Sequence, residues 1–150
     1  MPDPFRPTSL TDPETEGTAA RVVDACFRLH KALGPSLRER HYAKFLAHSL
    51  RRIGHVVQAE TRFPLEYEGL RIEGALRTDL IVDRRVLVEV KANTEPFRYA
   101  EAQVLSYLRH TGLPLAFLVN FRSPLFRQGI RRYVNAPDAK PSEHFVFVPS

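Results

Sequence analysis

The chain holds one cysteine, Cys26, one methionine and no tryptophan in 150 residues. A lone thiol excludes an intrachain disulfide framework, and its apolar helical setting reads as a buried, inert side chain in a cytoplasmic protein. Six histidines are scattered, and neither HExxH nor CxxC occurs, so zinc is not expected. No serine stands in a GxSxG context, which argues against a serine hydrolase. There is no glycine-rich phosphate loop, internal repeat or low-complexity block. No apolar run approaches the roughly 20 residues of a membrane helix. The N-terminal stretch MPDPFRPTSLTDPETEG has no apolar centre, so it reads as a loose arm over residues 1–17, neither signal peptide nor membrane span.

What is present suits one domain with a real core. The formal net charge is +5, compatible with a polyanionic partner without requiring one. The doublets Arg51-Arg52, Arg84-Arg85 and Arg131-Arg132 are candidate phosphate contacts. Val22, Val23, Cys26, Leu29 and Leu33 recur at helical spacing and predict a helix from about Thr18 to Leu33, ended by Gly34-Pro35. A second helix is expected from about Leu37 to Ile53, with Tyr42, Phe45, Leu46, Leu50 and Ile53 on one stripe. Glu39 falls on that stripe. A core-facing carboxylate wants a partner; its alternative use is to complement the helix N-terminus.

His55 to Glu66 reads as a strand, with Pro64 marking an end or bend at an edge, followed by a turn at Tyr67-Glu68-Gly69-Leu70. After the central hairpin, Pro96 suits the start of a helix from about Phe97 to His110, in which Gln103 and Tyr107 are neighbours on one face. PLAFLVNF, residues 114–121, is the nearly continuous apolar run of a strand covered on both faces. A helix between the strands at Lys91 and Leu115 implies a right-handed crossover and a parallel pair at the sheet centre. A final edge strand is expected around Ile130 to Val134. The tail over residues 136–150 ends in FVFVP, which could add a strand or dock in a groove.

The hairpin RTDLIVDRRVLVEVKA, Arg77 to Ala92, organises the rest. Side chains alternate faces, so Leu87, Glu89 and Lys91 share one face while Val86, Val88 and Val90 fill the other. Asp79 opposes Glu89 if the turn is centred on Arg84, which requires an odd-numbered loop; a two-residue turn would put Asp79 on the wrong side. In that register two carboxylates and an ammonium converge on one patch of sheet. Magnesium prefers such oxygen ligands and keeps several waters, and a neighbouring lysine can stabilise phosphoryl charge.

The spacing Asp79, nine residues, Glu89, one residue, Lys91 resembles the motif of the PD-(D/E)XK nuclease superfamily, with Thr78 where the motif's name has proline. From about Ala20 to Val134 the chain further resembles the GxxExxY proteins of that superfamily. The resemblance rests on LHKALGPSLRERHY, where Glu39 and Tyr42 match and Ser36 replaces a glycine, on DLIVDRRVLVEVKA, on EAQVLSYLRHTG and on LVNF.

The resemblance implies an α/β, restriction-endonuclease-like core over residues 18–135, a central mixed sheet flanked by helices. It implies Mg2+ or Mn2+ held by Asp79, Glu89, the Val90 carbonyl and Glu39, with Lys91 activating water. Gln103 and Tyr107 resemble the QxxxY element of RecB-like nucleases, on a helix facing the active site. The implied activity is phosphodiester hydrolysis, with DNA as the expected partner, RNA as an alternative, and Arg84, Arg85, Arg131 and Arg132 as contacts. A homodimer would suit double-strand cutting. The competing readings are a catalytically silent binding or regulatory module on the same fold, and a hydrolase of small phosphoesters.

Overall fold

The computed structural model describes residues 11–135. Helix α1 spans Pro13–Leu33: the Asp12 side chain caps it by accepting from the Thr15 amide (3.0 Å) and hydroxyl (2.6 Å), and Pro13 sits in the first turn. Residues 13–17 therefore belong to this helix, not to a loose arm. The expected start at Thr18 was late because the polar first turn carries no apolar period. Gly34 closes α1 at φ +72°.

Helix α2 (Glu39–Arg52) buries Tyr42, Leu46, Ala47 and Leu50. Phe45 and Ile53, expected on that stripe, are instead 47 % and 59 % exposed. Tyr42 fixes the α1–α2 connection: its hydroxyl donates to the Gly34 carbonyl and accepts from the Leu37 amide, and its ring stacks on Phe121 at 4.4 Å.

The sheet has five strands in the order β1 (Val57–Tyr67), β2 (Leu70–Val82), β3 (Val86–Lys91), β4 (Leu115–Asn120) and β5 (Ile130–Val134). Only β3 and β4 run parallel, joined by helix α3 (Phe97–Thr111), which Gly112 ends in the left-handed conformation. The parallel pair therefore lies inside a mixed sheet, as the helix between them requires. One face of the sheet carries α1 and α2 over Leu80, Val82, Val86, Val88, Val90, Phe117 and Val119. The other carries α3 over Ile81, Leu87, Ala116 and Leu118. Covering both faces of β3 and β4 is what their unbroken apolar runs call for. No helix among the described residues is long and apolar enough to cross a membrane.

The β2–β3 hairpin pairs Leu80↔Val88, Ile81↔Leu87 and Val82↔Val86 around the three-residue loop Asp83, Arg84, Arg85, the odd-numbered turn that the alternation demanded. Asp83 and Arg84 adopt positive φ, and Asp83 makes that turn tolerable by bonding outward from it. Its carboxylate takes bonds from the Thr18 hydroxyl (2.9 Å), the Val56 amide (2.9 Å) and His55 (2.6 Å).

Pro64 does not end β1. It sits in a register shift between Phe63 and Leu65, and the strand runs on to a Glu68-Gly69 turn with positive φ at both residues. Only residues 80–82 of β2 pair with β3, so the rest of the β1–β2 ribbon extends past the sheet. Glu60, at the missing rung between Ala59↔Leu80 and Thr61↔Thr78, has φ +55°. Before that rung Val57 packs toward α1 and α2; beyond it Phe63 packs toward α3. The ribbon thus rolls over at the level of Asp79. Residues 136–150, with the FVFVP segment, lie outside the described residues.

Candidate active site

The ladder between β2 and β3 stops at Leu80↔Val88, and the strands splay where Asp79 and Glu89 follow. The next β3 amide, Val90 N–H, is taken by the Asp79 carboxylate at 2.8 Å. Asp79 thereby substitutes for a backbone acceptor while remaining half-buried. Glu89 points to the α3 face with 4 % exposure. Its Oε1 lies 3.8 Å from Lys91 Nζ, and its Oε2 is buried with no hydrogen-bond partner. Burial first, then the neighbouring Asp79 charge and a hydrogen bond shared with the Asp79 carboxyl, push the Glu89 carboxyl up to about 9, against the pull of Lys91.

The six side chains singled out for catalysis, Glu39, Asp79, Glu89, Lys91, Gln103 and Tyr107, line one open cavity of about 450 Å³. It sits at the carboxyl end of β3, beside the carboxyl end of parallel β4, where α/β sheets leave room for ligands. Gln103 Nε2 donates to the Tyr107 hydroxyl at 2.7 Å, one turn apart on α3. Burial and the Glu89 carboxyl raise the Tyr107 phenol above its ordinary value.

Glu39 reaches this cavity by a different route from the one its spacing predicted. As the first residue of α2 it is exposed, not core-facing, and its Oε1 accepts from the Ala92 amide at 3.3 Å, just beyond β3. Periodicity misplaces it because a first-turn side chain need not follow the stripe of the helix it begins. Among the described residues no three His, Cys, Asp or Glu side chains are gathered to hold an ion together.

The residues present nonetheless fit a hard divalent cation. Two adjacent carboxylates, one with a buried oxygen lacking a partner, are a donor set that a cation would satisfy, with water or phosphate filling the other positions. The Val90 backbone lies in this site through its amide, while its side chain packs into the opposite core.

The arginine doublets are distributed differently. Arg84 and Arg85 form the hairpin turn, about 13 Å along the strands from Asp79 and Glu89. Arg85 pairs with Asp12, the cap of α1, and with Glu14 in its first turn. Arg132 is 6 % exposed and bonds Glu16 at 2.7 Å, so as a phosphate contact it is corrected to a buried structural cation. Arg131, one residue earlier, faces the α3 side, its guanidinium 4.0 Å over the Phe97 ring. The doublet divides because adjacent strand residues point to opposite faces. Arg51 donates to the Val57 carbonyl at 2.8 Å.

Three further cations that border the site were not singled out from the sequence, whereas Arg51 beside them was. Arg40, Lys44 and Arg77 line a second opening of about 440 Å³ that shares Glu39 and Asp79 with the first. The available signal was the four-residue spacing of Arg40 and Lys44, which puts both on one exposed face of α2.

A family model described as the PD-(D/E)XK nuclease superfamily matches residues 16–133, an interval that takes in α1 from Glu16 onward, the whole sheet up to Tyr133 and every residue of the cavity. No curated protein and no solved structure matches closely enough to add to it.

Proposed function

The chain belongs to the PD-(D/E)XK nuclease superfamily, and from that membership we propose that it is a metal-dependent nuclease acting on DNA, with Asp79 and Glu89 as the metal-binding pair. The observation that carries this reading is the buried, unpartnered Oε2 of Glu89 beside Asp79 and Lys91 in an open cavity. Folding alone rarely leaves a buried carboxylate oxygen without a donor. Two carboxylates with water and substrate phosphate suit Mg2+ or Mn2+.

A divalent cation bound there supplies a polarised phosphoryl oxygen and a water acidic enough to attack it. The chain's own groups do the rest. Lys91 Nζ, held near the sheet by Glu89, places positive charge where a phosphate loads and orients the attacking water. The Val90 amide holds the Asp79 carboxylate in one rotamer. The Val90 carbonyl is a further oxygen donor in this proposal. Gln103, fixed by its bond with Tyr107, presents its amide oxygen to the cavity. Glu39 contributes outer negative charge and, through the Ala92 amide, steadies the end of β3.

A finer placement is part of the same proposal: the chain is one of the GxxExxY proteins, with a RecB-like helix. It is supported by Glu39 and Tyr42 acting as a unit, the tyrosine bracing the turn that delivers the glutamate, and by Gln103 and Tyr107 sharing a bond on the cavity wall.

The test is degradation of end-labelled linear and circular DNA, single- and double-stranded, with Mg2+, Mn2+ or chelator. Cleavage should require the metal and fall by about 10²–10³-fold in Lys91→Ala and Asp79→Asn, with circular dichroism unchanged. Metal-dependent cleavage that survives both substitutions would refute the assignment. Nucleic-acid binding without cleavage under any condition would leave the silent module.

A further inference from the structure

Beside the acid cavity lies a second concavity, of about 350 Å³, that shares Lys91 and Gln103 with it. The chemistry of its wall differs. The acid cavity gathers the carboxylates of Glu39, Asp79 and Glu89, whereas this one has that of Glu95 alone and offers the aromatic rings of Phe97 and Tyr99 and the amide of Asn93. Tyr99 is 61 % exposed on the first turn of α3 and supports no core. The Arg98 guanidinium lies 5.2 Å from the centroid of its ring. Phe97 is held from behind by Arg131 at 4.0 Å.

The polar groups of this concavity divide into those that shape it and those left over. Asn120 is spent on shape: its Oδ1 accepts from the Asn93 and Arg122 amides, and its Nδ2 donates to the Asn93 carbonyl at 2.9 Å. Asn93 Oδ1 is likewise taken, by the Glu95 amide at 3.1 Å. Asn93 Nδ2 and Gln103 Oε1 have no hydrogen-bond partner among the described residues. One is a donor and the other an acceptor, and both border a concavity of the size small ligands occupy.

We propose that this concavity is a nucleobase subsite, receiving the base of the nucleotide next to the scissile phosphate. A nucleobase is flat, stacks on an aromatic ring, and carries both donors and acceptors on its edge. Lys91 lines both spaces, so a phosphate beside it leaves the adjoining base within reach of Tyr99. On the opposite side of Asp79, Arg40, Lys44 and Arg77 offer positive charge to the phosphates that follow. A base inside a duplex has both faces stacked and its edge paired, and cannot enter. The substrate must therefore be single-stranded, or unpaired at that nucleotide. This inference rests on the nuclease reading for the phosphate at Lys91.

The experiment measures fluorescence anisotropy of a labelled single-stranded dT12, the same strand with abasic sites, and a blunt duplex, in chelator, against wild type, Tyr99→Ala and Tyr99→Phe. Tyr99 is exposed, so both variants should fold, which circular dichroism checks. Tyr99→Ala should weaken binding of dT12 by about 5- to 100-fold. Tyr99→Phe should restore it to within about twofold, because the ring and not the hydroxyl stacks. The abasic strand and the duplex should be indifferent to either change. Unchanged affinity of Tyr99→Ala for dT12 would overturn the subsite, as would an equal loss on the abasic strand.

Cleavage assays with Mn2+ separate the two failures. Metal-dependent cutting of single strands that Tyr99→Ala leaves untouched would sink the subsite and spare the nuclease. Tyr99-dependent binding of dT12 with no cutting of any nucleic acid would keep the base subsite and sink the nuclease reading.

Discussion

The two ends of the β2–β3 hairpin treat their carboxylates in opposite ways. At the turn end each acid has a partner within the chain. Asp12 and Glu14 meet Arg85, Glu16 meets Arg132, and Asp83 takes bonds from His55, Thr18 and the Val56 amide. Burial by itself would raise Glu16 and Asp83, but the hydrogen bonds they accept outweigh it and hold both below the ordinary carboxylate range. At the open end, about 13 Å away along the same strands, Glu89 is more deeply buried, is pushed up to about 9, and keeps an oxygen with no partner. The turn end is built to close the fold, tying α1 to the sheet. The open end is left incomplete in a way that a cation from outside the chain would complete.

The largest stability effect should come from the turn end. Arg132→Met leaves the half-buried Glu16 without its cation and should cost about 3 kcal/mol at pH 7, read from urea unfolding. Because Glu16 is depressed in the folded state, its contribution is present above its unfolded pKa and lost as pH falls through the folded one. The cost should therefore shrink at pH 4. A cost equal at both pH values would remove the ion pair from the comparison.

The open end should show the opposite sign. Folded Glu89 holds a proton that the unfolded chain has already lost at neutral pH, so the metal-free protein loses stability as pH climbs from the ordinary carboxylate range toward 9. Glu89→Gln, neutral at every pH, should raise the melting temperature by a few degrees at pH 8 in chelator and by nothing at pH 4. A loss at pH 8 would mean that the carboxylate is structural after all.

The smallest effect concerns the cations bordering the site. Arg40→Ala with Lys44→Ala should weaken oligonucleotide binding severalfold and lower the magnitude of its salt slope by about 1–2. Arg84→Ala, at the turn end, should change neither.

The convergence of Asp79, Glu89 and Lys91 was legible in the sequence because a strand's period of two leaves little freedom. Once Val86, Val88 and Val90 claim the core, Glu89 and Lys91 must share the other face, and only an odd loop brings Asp79 to them. Helix-borne features were read less well. Glu39 was assigned to a buried stripe because periodicity cannot see that α2 begins at that residue. The Arg131-Arg132 doublet divides because neighbours in a strand part company, Arg132 into the core and Arg131 over Phe97. Arg40, Lys44 and Tyr99 sit on exposed helix faces, where no apolar period marks them. Only the folded arrangement shows which of those faces border the cavity.

The most direct test is the melting temperature of the protein titrated with Mn2+, for wild type, Asp79→Asn, Glu89→Gln and Arg85→Ala. A cation held by the two carboxylates of the folded protein stabilises it by mass action. Wild type and Arg85→Ala should rise with metal, whereas Asp79→Asn and Glu89→Gln should not. Equal rises in all four, or none in wild type, would contradict the claim that the open end of the hairpin is built for a metal.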